Sequence, residues 1–383
     1  MKQKNRTGLV IRGGKILGKN SPSFRGSLLI RDGIIQEVAR FPEIINGGTD
    51  VITLKGGIIT PGLTEFHIHG CFSGSFHDMD DSTLPNILHN LAARGIIRVV
   101  PTVIGDENMI SRAAKAVNRL DQPDRVPGLY VEGPFVSREK RGGILPATIR
   151  PYSVENLKKI ITAGESRVKI LTAAPECFPP EGQKILEENG VVFAAGHSNA
   201  KWEDLIGRRF PLITHIFNGM SGISHKDPGL AQWGLLNDDV SIELNGDGHH
   251  LHPAAVALVL KAKKPEKIIL ISDAVPPAGD DSQTGIYNGA PTSVRGGGVY
   301  NREGTLVGSR LLINDIVGKM IREYGVPDYR AVSMAAEAPN RFLGLPGPGE
   351  IAPGGDADLA VFSEDFSRCM LTMYKGEIIH SSP

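Results

Sequence analysis

The chain has 383 residues, more than one ordinary domain needs, and its 40% apolar and 22% charged content is that of a globular protein in water. Its 42 basic and 42 acidic residues cancel, which excludes the basic field that nucleic acid or an anionic membrane requires and leaves small molecules as the expected partners. MKQKNRTGLVIRGGKIL lacks a signal peptide's apolar core, no run of about 18 apolar residues exists, and three scattered cysteines (Cys71, Cys177, Cys369) suit reduced thiols, so a cytoplasmic setting is expected.

Taken in chain order, residues 1–57 read as short strands joined by glycine turns: GLVIRGGKIL, GSLLIRDGIIQEVAR and DVITLKGG. Asp32-Gly33 supplies the positive φ of a tight hairpin. Residues 346–383 have the same texture, in GEIAPGGDADLAVFSED and MLTMYKGEII, so the two ends are expected to build one small β-sandwich. From 58 to 345 strands alternate with helical stretches. The strand candidates are IITPGLTEFHIH, IIRVVPTV, VPGLYVEG, RVKILTAAP, VVFAAGH, FPLITHIF, VSIELNGD and KIILISDA. Helices are predicted at 82–94, 106–120, 153–163, 181–189, 201–208 and 253–263, some opened by Ser or Asp caps. Alternation of this kind predicts a parallel sheet, and eight units favour closure into a (β/α)8 TIM-like barrel of the α/β class. The Gly- and Pro-rich stretch 276–308 reads as an insertion after the eighth strand, followed by helices near 310–324 and 328–342.

The chemistry lies at the ends of those strands. His67 and His69 end the first, Glu132 the third, His197 the fifth, His215 the sixth and Asp273 the eighth. In a β/α barrel the C-terminal ends of separate strands converge on one site. A single His-x-His is weak evidence, because alternation puts both rings on one face of any strand, and a lone strand-end His or Glu is most often a cap. Here four of the chain's 11 histidines follow the pattern. Two histidines and a glutamate with one open position form a common catalytic zinc arrangement, and adding His67 and His69 lets Glu132 bridge two metals. Asp273 is placed to take a proton from attacking water and return it to a leaving group. Its alternative as a helix N-cap loses ground because Val275-Pro276-Pro277 follows closely.

Other signals are weaker. His77, His89, His225 and His380 have no comparable context and are expected at the surface or in loops. In NGDGHHLHP, one of His249, His250 and His252 is expected to face substrate, the others being structural. GGKILGK lacks the spacing of a phosphate loop, RGGGVYNREG is a turn, and Cys71 reads as a packing residue.

The segments PGLTEFHIHG, EGPFVS, GHSNA, THIFNGMS, KDPGL, DGHHLHP, SDAVPPAG and IAPGGDADLAV, in this order, resemble the N-acetylglucosamine-6-phosphate deacetylase family of the amidohydrolase superfamily. The resemblance implies a (β/α)8 barrel with a small β-sandwich, a homodimer, and one or two divalent metals per chain, zinc or iron. It implies Glu132, His197 and His215 as principal metal ligands, His67 and His69 as the second site, and Asp273 as the acid/base. Gly143, Asn218, Gly219, His250 and Leu306 are implied to contact the amino sugar phosphate. Two positions depart from the family pattern. Lys226 stands where an arginine usually clamps phosphate, keeping the charge without the bidentate fork. Ile144 stands where a histidine usually approaches the acetyl group. Branches with a carboxylated lysine need that residue at the end of strand four, where Thr172-Ala173-Ala174-Pro175 stands instead.

The expected activity is therefore metal-dependent deacetylation of an N-acetyl amino sugar phosphate, with N-acetylglucosamine 6-phosphate foremost. Its rivals are a deacylase for another N-acyl compound and, remotely, an inactive scaffold barrel.

Overall fold

The computed structural model describes residues 8–19, 21–41, 43, 50–345 and 349–382; residues 1–7 and the boundary expected at 346 lie outside them. Two compact units emerge, one from Met1–Thr64, Leu88–Arg98 and Ile313–Pro383, the other from Glu65–Ile87 and Val99–Leu312.

Both ends of the chain contribute to one eight-stranded sheet. Its order is Glu377–Ser381, Cys369–Tyr374, Leu359–Phe362, Ile58–Pro61, Leu9–Gly18, Ser21–Arg31 and Ile34–Arg40, with Asp50–Thr53 also paired to Leu9–Gly18. Asp32 and Gly33 sit at φ 52° and 79°, as the hairpin between the second and third N-terminal strands requires. Alternating side chains Ile11, Leu28, Ile30, Ile59, Leu359, Val361 and Met373 share one apolar core, which explains why the two ends of the sequence look alike.

The second sheet holds eight strands: β1 (Leu63–Ile68), β2 (Ile96–Ile104), β3 (Leu129–Glu132), β4 (Val168–Ala173), β5 (Val192–Ala195), β6 (Leu212–Ile213), β7 (Ser241–Asn245) and β8 (Ile268–Ile271). Each lies beside the next in sequence, with parallel registers from β2 through β8. A parallel bridge between Ile68 and Ala274 closes the ring, with Asp273 N donating to His67 O at 2.9 Å and His69 N to Ala274 O at 2.8 Å. All nine residues of β2 are buried, the near-continuous apolar run that a sheet covered on both faces demands. This is the TIM-like barrel anticipated from the alternation.

Helices overlap the predicted windows, two of them capped as expected: Asp106 accepts from Asn108 and Met109 amides, Ser153 from that of Asn156. The window 201–208 shrinks to Trp202–Leu205. The window 328–342 splits into Asp328–Ala335 and Glu337–Phe342, with Ala336 at φ −128°, ψ −67°. Pro339 accounts for the break, since it has no amide to offer the carbonyl four residues back and its ring crowds that carbonyl. Leu230–Leu236 is a helix the periodicity did not reveal, because LAQWGLL is apolar on nearly every side. The stretch 276–308 holds a four-stranded antiparallel sheet: Thr284–Tyr287, Ala290–Arg295, Gly298–Asn301 and Leu306–Ser309. Among the described residues no helix is long and apolar enough to cross a membrane.

Candidate active site and metal centre

Six ligand-type side chains converge at the C-terminal rim of the barrel in two groups, Glu132 with His197 and His215, and His67 and His69 with Asp273. All six are buried. His197, His215 and Asp273 have left-handed backbones at φ 47°, 25° and 50°. Non-glycine residues avoid that region unless the surroundings fix them there, and here it marks the turn from strand into loop at three points around one cavity.

Glu132 links the groups. Its Oε1 lies 2.9 Å from His197 Nε2 and 3.0 Å from His215 Nε2, while Oε2 lies 3.3 Å from His69 Nε2. The two Nε2 atoms of His197 and His215 are 3.1 Å apart. Nδ1 of His197 donates to Lys140 O at 2.8 Å, so its Nε2 presents a lone pair. Nε2 of His67 is buried without a hydrogen-bond partner, 3.7 Å from Glu132 and 3.8 Å from Asp273. Converging nitrogens around a shared carboxylate, one of them orphaned, fit divalent cations better than they fit a hydrogen-bonded network.

The Glu132 and Asp273 carboxyls are both held in the ionised form. Burial alone would raise the Glu132 carboxyl, but His197, then His215 and His69, hold it well below the usual carboxylate range. Burial is likewise overcome at Asp273, first by His250 and then by His69. Asp273 lies 3.4 Å from His69 Nε2 and 3.3 Å from His250 Nε2. For His250, burial opposes the charged ring, yet Asp247 at 2.7 Å on Nδ1 and Asp273 on Nε2 push it up to about 10.

A cleft lined by Ile104, Gly143, Ile144, Asn218, Tyr287 and Leu306 opens onto these groups. Gly143, Asn218 and Leu306 are thus placed beside the metal-ligand cluster. Gly219 lies beneath His197: a Cβ there would come within 2.9 Å of Lys140 O and 3.0 Å of His197 Nδ1, at φ 54°. Lys226 is exposed on the loop before Leu230–Leu236 and outside the cleft lining. Ile144 is buried, packed on Val136 and Ile149, and forms part of the wall. Of the other histidines, His249 Nε2 accepts from Gly297 N at 2.7 Å and His252 caps the helix Pro253–Ala262.

One expectation is overturned. His77, expected at the surface or in a loop, is fully buried and sits 3.2 Å from His69 Nδ1. Its burial comes from Tyr287 and Asn288, about two hundred residues later in the chain. Sequence reasoning also passed over Glu243, whose Oε2 accepts from His67 Nδ1 at 2.9 Å and from the His215 amide at 3.0 Å. A glutamate in the middle of the apolar run of β7 was the signal that could have found it.

No family model matches the sequence. It is 29% identical over 367 residues to an N-acetylgalactosamine-6-phosphate deacetylase of Escherichia coli O157:H7, covering 91% of this chain and 94% of that protein. It is 29% identical over 388 residues to the N-acetylglucosamine-6-phosphate deacetylase of Bacillus subtilis (strain 168), covering 97% and 96%. The crystal structure of N-acetylglucosamine-6-phosphate deacetylase from Thermotoga maritima superposes with a TM-score of 0.85 at 28% identity, over 97% of this chain and all (100%) of that one. The curated relatives and solved structures that the chain resembles over nearly its whole length are N-acetylglucosamine-6-phosphate and N-acetylgalactosamine-6-phosphate deacetylases. In this barrel Glu132 lies between the two histidine groups.

Proposed function

We propose that the protein hydrolyses the amide of an N-acetylhexosamine 6-phosphate, N-acetylglucosamine 6-phosphate foremost, to the free amine and acetate. The observation that supports this best is the sharing of Glu132 by two histidine groups beside a buried, ionised Asp273. Glu132, His197 and His215 would hold one divalent ion, and His67 and His69 a second bridged by Glu132. Imidazole and carboxylate donors suit zinc and iron. A bound ion supplies Lewis acidity, acidifying water and polarising the amide carbonyl.

The chain's own residues do the rest. Asp273 accepts a proton from the attacking water as the C–O bond forms, then passes it to the departing nitrogen as the C–N bond breaks. His250, fixed by Asp247, donates to Asp273 and holds its carboxylate at the reacting centre. Gly143, Asn218, Gly219 and Leu306 position the sugar, and Lys226 reaches the phosphate as a point charge. Ile144 packs against the acyl methyl. The protein would act as a cytoplasmic homodimer with one or two ions per chain.

A second reading, another N-acyl substrate, is favoured by two observations. Relatives in Escherichia coli O157:H7 and Shewanella sp. are named for the galactosamine epimer, and Ile144 offers no hydrogen bond to an acyl carbonyl. Acetate release measured on both phosphorylated epimers and both unphosphorylated sugars tests the proposal. Turnover confined to the phosphorylated pair is expected, and a preference for an unphosphorylated compound overturns it.

A further inference from the structure

The turn Asn288-Gly289, with φ 52° and 72°, joins Thr284–Tyr287 to Ala290–Arg295 and drives its tip against the barrel rim. Tyr287, buried, lies 5.7 Å from the His69 ring and 5.2 Å from the His77 ring. Asn288 Oδ1 sits 2.5 Å from His77 Nδ1, and His77 Nε2 sits 3.2 Å from His69 Nδ1. These contacts fix protons in sequence. Asn288 Oδ1 is an acceptor only, so His77 carries its proton on Nδ1 and leaves Nε2 bare. A bare Nε2 requires His69 to carry its own proton on Nδ1. Nε2 of His69 then presents a lone pair towards Glu132 and Asp273, the side where its group would hold an ion.

We infer that His77 and Asn288 are positioning residues for the second metal, setting the tautomer of His69 from the tip of the inserted sheet. The inference rests on the two-metal reading above. Partners that orient a ligating imidazole are commonly carboxylates or carbonyls; here the partner is another imidazole, set in turn by a side chain on a hairpin tip. Retention of the second ion is thereby tied to docking of a surface element remote in sequence.

Zinc content of the intact protein, measured against a competing chelator at several free-zinc levels, provides the test. Wild type is expected to hold two zinc ions per chain. His77→Leu removes the acceptor and should weaken the second ion roughly 10–100-fold while leaving the first unchanged. His77→Gln, whose amide oxygen can accept from His69 Nδ1, should restore much of that loss, which a role in packing alone would not produce. Asn288→Gly keeps a backbone suited to φ 52° and removes only the acceptor, so about a tenfold weakening is expected in a fully folded protein. If His77→Leu does not fold, Asn288→Gly decides alone. Two zinc ions held as tightly in Asn288→Gly as in wild type overturn the inference and leave the two-metal reading intact. A single zinc in wild type overturns both.

Discussion

Asp273→Asn separates proton transfer from binding. The amide has the carboxylate's shape, and its oxygen can still accept from His250 Nε2, now 3.3 Å from Asp273. What it cannot do is take a proton from water. General-base assistance contributes about 10²–10⁴-fold, equivalent to roughly 2.7–5.4 kcal/mol of barrier at ~1.36 kcal/mol per decade. The loss should appear in kcat with KM nearly unchanged, because the residues assigned to the sugar and phosphate are other than Asp273. Asp273 also lies 3.4 Å from His69 and 3.8 Å from His67, so the substitution can loosen the second metal and imitate a catalytic defect. Acetate release should therefore be followed at saturating zinc, with bound zinc measured on the same samples. Equal zinc and a hundredfold or greater fall in kcat is the expected result. Turnover within about threefold of wild type at equal zinc would refute the assignment of Asp273 as proton carrier.

Two further predictions concern regions outside the metal centre. Lys226 is exposed, and a charge pair at about 4 Å in water is worth ~1 kcal/mol, so Lys226→Ala should raise KM for a phosphorylated substrate only about fivefold. The effect should shrink as salt rises and vanish with the unphosphorylated sugar; indifference of both substrates would remove Lys226 from phosphate binding. Glu107 takes both guanidinium nitrogens of Arg150 at 2.5 and 2.7 Å, and this partner holds its carboxyl below the usual range. A depressed folded-state pKa gives stability that is present above the unfolded value of about 4.3 and lost as pH falls through the folded value. Glu107→Gln should therefore destabilise the fold at pH 7, by no more than about 1 kcal/mol for this partly exposed pair, read as a lower Tm, and match wild type once acid has protonated Glu107; a gap that persists in acid would argue against the ion pair as its source.

How much was legible in the sequence depended on how locally each feature is determined. The ligand-type residues at the ends of β1, β3, β5, β6 and β8 were readable because each follows an apolar run of its own, and parallel order alone sends those ends to one rim. The terminal sheet was readable from its Asp-Gly turn and strand alternation. His77 was not: its own neighbours, SGSFHDMD, are polar and turn-like, and its burial is conferred by Tyr287 and Asn288 from the inserted sheet. That sheet was hidden for a related reason. Its strands are only four to six residues long and are punctuated by Gly289, Gly296 and Gly304 at positive φ, so turn signals drowned the alternation. The break before Pro339 could have been anticipated, since proline ends a helix for reasons that need no tertiary partner.

The hydrogen bonds that close the barrel, from Asp273 N to His67 O and from His69 N to Ala274 O, run through the backbone of His67, His69 and Asp273. Those partners are some two hundred positions apart, so this seam joins the first strand of the barrel to the last. An ion held by His67 and His69 would therefore act as a clasp on that seam. Chelation should loosen the β1–β8 edge before the strands across the barrel, and amide exchange at His69 and Asp273 should register that order.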